Sequence, residues 1–179
     1  MKFGFSLLLT LLVSCIGCAS FHPSTNVPNT RPGDFRVQYE WRAGSLPPPY
    51  HYEYAIFLKP SGQGEIVLIP DYQGPDVPKW TERFKVPEQD LNALYRVMVE
   101  NGLFTRKWRQ MDTGPVGGSN QTLVVTAQGK RIKVEDYLVS GQQAPAKAMY
   151  AAVRALVPKK IWARLQARRQ HYMQAHPHG

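Results

Sequence analysis

Cysteine is confined to two positions of this 179-residue chain, Cys15 and Cys18. Everything beyond residue 18 must therefore fold without a disulfide, and a Cys-rich zinc fold is excluded there. Acidic residues are confined as well: there are thirteen, and the last is Asp136. No apolar run approaches the length of a membrane-spanning helix. The chain has no Gly-x-Ser-x-Gly elbow, no His-Glu-x-x-His, no Asp-rich calcium loop and no Gly-rich phosphate loop between a strand and a helix. What remains is 43% hydrophobic and 20% charged, an ordinary globular composition.

The first residues have the pattern of an export signal. Lys2 supplies a positive charge, and residues 3–13 are apolar except for Gly4, Ser6 and Thr10. Such a stretch spans about 16 Å as a helix, roughly half a hydrocarbon core. It fits the h-region of a signal peptide. Leu12-Val13-Ser14-Cys15 follows. This tetrapeptide resembles the bacterial lipoprotein signal, with Leu three before and a small residue one before the Cys. The resemblance implies removal of residues 1–14 and acylation of Cys15, whose diacylglycerol and amide-linked chains would anchor the protein stably. Cleavage before Cys18 is the alternative. Residue +2 is Ile16 rather than the Asp that marks inner-membrane retention in that family, which implies the outer membrane facing the periplasm.

Residues 15–33 then read as a lipidated Cys followed by a Pro-rich tether, and residues 34–179 as one domain. Strands are expected at 35–42, 51–59, 65–69, 80–86, 121–127 and 130–138, from alternation of apolar and polar residues. A helix should open at Val86-Pro87-Glu88 with Leu91, Leu94, Tyr95 and Met98 on one stripe, and stop at Asn101-Gly102. Two more helices are expected at 145–156 and from Lys159 to about Met173. The order predicts an α+β domain, a mostly antiparallel sheet of about five strands with helices packed on one face. All sheet neighbours are expected to be joined by short hairpins.

Few residue groups suggest chemistry. Ser119 lies in Gly117-Gly118-Ser119-Asn120, a Gly-rich stretch that reads as a loop before a strand. Glu135 and Asp136 are adjacent on a strand and should point to opposite faces, which does not suit paired acid–base work. Asp71, Asp76 and Asp112 fall in loops. His171, His176 and His178 are weak candidates for metal binding, in a tail that lacks preorganisation. His51 reads as a surface residue. No cofactor is implied. The cluster Tyr39, Trp41, Tyr50, Tyr52, Tyr54 and Tyr72 suits either a sheet core or a surface for sugar or peptide.

The charge is uneven. Residues 16–136 hold fourteen basic and thirteen acidic side chains, whereas the last 43 hold seven basic ones and no acid. On a helical wheel Lys160, Arg164, Arg168 and His171 form one stripe beside Ile161, Leu165 and Tyr172. That stripe either meets an anionic surface or is a solvated face whose cations suit the C-terminal helix dipole. Nucleic acid is excluded as a partner by export. The sequence thus points to a membrane-anchored envelope lipoprotein with a non-catalytic binding or scaffolding domain. Its partner would be an envelope protein. The alternatives are anionic-lipid or lipopolysaccharide binding through Lys160, Arg164 and Arg168, or a hydrolase built from loops 71–78 and 111–120.

Overall fold

The computed structural model describes residues 30–113 and 117–177. Cys15, Cys18, the leader and His178 lie outside the described residues. Six strands and three helices follow in the order β1 (Arg36–Arg42), β2 (Glu53–Leu58), β3 (Gln63–Ile69), β4 (Trp80–Lys85), α1 (Glu88–Glu100), β5 (Asn120–Ala127), β6 (Lys130–Glu135), α2 (Gln143–Ala155) and α3 (Lys159–Ala175). The strands form one sheet in the order β4-β3-β2-β1-β5-β6, and every adjacent pair is antiparallel. The class is α+β as the patterning predicts. The sheet has six strands rather than about five, because β4 pairs along its whole length from Gln63↔Lys85 to Leu68↔Trp80.

One connection departs from expectation. β1 is paired on its far side by β5, in a register running from Arg36↔Thr126 to Arg42↔Asn120, and three strands and a helix intervene in the chain. Short hairpins therefore do not join all neighbours. Without β5 the second edge of β1 would present a row of unpaired amides and carbonyls. The long return also sets Leu123 and Val125 beside Tyr39 and Val37.

Alternation assigns one face of the sheet to the core. Val37, Tyr39, Ile56, Leu58, Ile66, Leu68, Leu123, Val125 and Val134 are all nearly inaccessible, as the two-residue period requires. All three helices cover this face. Phe35, in step with Val37 and Tyr39, meets Tyr95 of α1 edge-on at 5.3 Å. Tyr39 meets Tyr150 of α2 at 5.7 Å, and Tyr54 meets Trp162 of α3 at 5.0 Å. The predicted stripe of α1 is the buried one.

Local chemistry sets the element ends. α1 begins after Pro87 with Glu88 and Asp90 in its first turn, favourable at the positive end of the dipole. It ends in a Schellman motif: Gly102 at φ 76° donates its N–H to Val99 O, and Leu103 N–H reaches Met98 O. The β5–β6 hairpin turns at Gln128-Gly129, where both residues are left-handed, the geometry of a type I′ turn. Arg31 donates to Asn92 Oδ1 at 2.8 Å and Pro60 O at 3.3 Å. Ordered contacts therefore begin inside the stretch read as tether.

Candidate functional site

The helices leave the opposite face of the sheet uncovered. From β4 to β6, one row across it reads Thr81, Val67, Ala55, Glu40, Thr122 and Glu135. The next reads Arg83, Glu65, Phe57, Gln38, Val124 and Lys133. Antiparallel sheets tolerate one wet face, and the polar residues suit that role. Phe57, Val67 and Val124 are the apolar centre of this face. Phe57 and Val67 are half-buried, and Val124 is 8% exposed.

Charge on this face is arranged rather than scattered. Each of its four acids has a basic partner. Arg42 lies 3.1 Å from Glu53 and 3.7 Å from Glu40, Arg83 lies 3.3 Å from Glu65, and Lys133 pairs with Glu135. Glu40 also accepts from Gln38 Nε2 at 2.7 Å. Three cations remain in one place. Arg36 stands opposite Thr126, which stands opposite Arg131. Lys59 follows Leu58, the partner of Val37, and so falls beside Arg36. The three border a cleft of about 300 Å³ whose lining includes Phe57 and Val124 and no acidic side chain. Asp34, two residues before Arg36 and in electrostatic interaction with it, accepts through its two carboxylate oxygens from the amides of Gln128 and Gly129 at 2.8 and 2.7 Å. Those amides, Gly129 first, hold its carboxyl below the ordinary value.

The basic stripe of α3 has partners within the domain. Arg164 forms a bidentate pair with Glu82, at 3.2 Å from Nε and 2.8 Å from Nη2. These hydrogen bonds hold the Glu82 carboxyl below its ordinary value. Arg168 places its guanidinium 5.0 Å over Trp80. Arg169 lies 4.0 Å over Tyr52 and donates to Tyr50 O at 3.0 Å. Its buried Nε finds no hydrogen-bond acceptor, so its contribution there is the cation–π contact. Lys160 is exposed. The last turn of α3 carries no Lys or Arg, so the expected match of its cations to the C-terminal dipole is absent. Lys159 and Lys160 instead occupy the first turn, the unfavourable end.

The other singled-out residues are separated. Tyr39 and Tyr54 are buried beneath the helices, Trp41 stacks on Tyr54 at 5.4 Å, and Tyr50 and Tyr72 are exposed. Burial pushes the hydroxyl pKa of Tyr39 upward, and its hydroxyl donates to Gln121 Oε1 at 2.7 Å. His51 is buried rather than on the surface, stacked on Tyr72 at 3.8 Å. Buried Asp71 accepts from Tyr72 N–H at 2.7 Å. Ser119 O accepts from the Tyr137 hydroxyl at 2.7 Å, and Asp136 accepts from Gln121 Nε2 at 3.3 Å. His171 is exposed, whereas His176 Nδ1 lies 2.8 Å from Tyr172 O. Among the described residues no group of three His, Cys, Asp or Glu is placed to hold a metal ion, and no helix is long and apolar enough to cross a membrane. No protein-family model matches the chain, and no curated protein shows significant similarity to it.

Proposed function

We propose that this chain is a lipid-anchored protein of the bacterial cell envelope. It is acylated at Cys15 and held by its tether at the periplasmic side of the outer membrane. Its single domain binds another envelope protein through the uncovered face of the sheet and catalyses no reaction. The Leu12-Val13-Ser14-Cys15 signal supports the anchor. The observation that carries the binding reading is the open face, an apolar centre at Phe57, Val67 and Val124 ringed by ordered charges. Proteins use such mixed surfaces for recognition, with apolar area for affinity and charge for register. The lipid-binding alternative at Lys160, Arg164 and Arg168 has less support, because Arg164 and Arg168 already hold α3 to Glu82 and Trp80.

Site-specific photo-crosslinking in native membranes tests the reading. A photoreactive residue at Thr122, on the open face, should give one discrete adduct that mass spectrometry identifies as an envelope protein. The same probe at Gln166, on α3, should give none. Adducts at Gln166 alone would move binding to the helical side. Absence of adducts at both positions would remove protein docking from the reading.

A further inference from the structure

Resting on the reading of the open face as a docking surface, we infer that the cleft bordered by Arg36, Lys59 and Arg131 is the seat of an acidic protein segment with one apolar side chain at its centre. The four acids of this face are paired with Arg42, which serves two of them, Arg83 and Lys133. Arg36, Lys59 and Arg131 are gathered at one cleft that no acid lines. Asp34, two residues before Arg36 and within its electrostatic reach, is hydrogen-bonded to the amides of Gln128 and Gly129. Within the cleft itself the lining carries three cations and no acid.

The lining specifies more than an anion. Phe57 and Val124 supply apolar surface beside the row of cations, which a fully solvated ion would not use. An aromatic or branched side chain seated there, with neighbouring carboxylates against the row of cations, satisfies both features. Lys59, just past β2, continues the Arg36–Thr126–Arg131 row, so the cations form one border of the cleft and the apolar pair Phe57 and Val124 lies in the next row. The cleft is small for a lipid site: about 300 Å³ on a sheet face does not enclose the acyl chains that a lipid would need to bury. An extended peptide needs no enclosure, since its flanks remain in water.

The test uses the full-length protein and calorimetry with a synthetic peptide carrying one phenylalanine between runs of glutamate. The peptide should bind, should weaken as salt rises, and should lose most of its affinity when the phenylalanine becomes serine. The double variant Lys59→Glu with Arg131→Glu alters exposed side chains only and should weaken binding at least about tenfold with an unchanged melting transition, as charge reversal at two close pairs implies. Lys160→Glu, on the helical side, should bind as the parent does. Failure of the peptide to bind, or equal weakening by Lys160→Glu, overturns the inference. So does binding of phosphatidylglycerol vesicles that is lost in the double variant while the peptide is ignored. Crosslinks from Thr122 that persist after such a failure would leave the docking face standing and remove only this cleft. Loss of both would remove the two together.

Discussion

Asp34 stands two residues before β1, and nothing near it in sequence explains what it does. Its carboxylate spans the two left-handed residues of the β5–β6 turn, Gln128 at φ 55° and Gly129 at φ 69°. A non-glycine residue at positive φ costs energy, and the two amide hydrogen bonds offset that cost. They also hold the Asp34 carboxyl below its ordinary value. A carboxyl with a lowered folded pKa contributes stability above its unfolded pKa and loses it as pH falls through the folded value. Asp34→Asn should therefore melt below the parent at neutral pH. The gap should close as pH drops through about 4 and below, the usual carboxylate range. Thermal melts across that range check it; a gap independent of pH would show that the carboxylate charge is not the cause. Glu82 follows the same sign, through Arg164. Neither pairing is legible in sequence. Both join residues more than eighty apart in the chain.

Elements were more legible than residues. Amphipathic spacing placed α1 and its inward stripe, and Asn101-Gly102 placed its end, because those signals depend on neighbours within one or two turns. β4 was the least marked strand, since Trp80, Glu82 and Phe84 share one face and Glu82 is polar. Its partner Arg164 lies on α3, so the charge on the covered face makes sense only after folding. At the β2–β3 turn, Gly62 has φ 81°, and a Cβ there would run into Val86 O. Gly62→Ala should destabilise the domain by roughly 1–3 kcal/mol through backbone strain and displacement of β4. Gly33→Ala is the control, since a Cβ there meets nothing within 4 Å. Chemical denaturation midpoints separate them; equal midpoints would mean the turn adapts without cost.

On the scale of the whole molecule, the proposed anchor and the proposed docking face rest on different residues and can be tested apart. Cys15→Ala should abolish the acyl mass and move the protein from the membrane to the soluble fraction, while Cys18→Ala should leave both unchanged. Intact-mass measurement with fractionation reads the outcome; the reverse pattern would assign the anchor to Cys18. Both edge strands of the sheet are basic. β4 carries Arg83 and Lys85, and β6 carries Lys130, Arg131 and Lys133. Such charge discourages edge-to-edge pairing.

Sequence by itself determined the α+β class, the alternation that separates a buried from a wet face, and the helix boundaries. Each of these follows from interactions between near neighbours. Tertiary structure alone decided that β5 returns to pair with β1. That long-range pairing sets Arg131 in the same row as Arg36, against Thr126, on a cleft that no acid lines. It also decided that the basic residues of α3 grip Glu82, Trp80 and Tyr52. A helical wheel shows which side chains share a stripe but not what the stripe meets, because that depends on which strands lie beneath it.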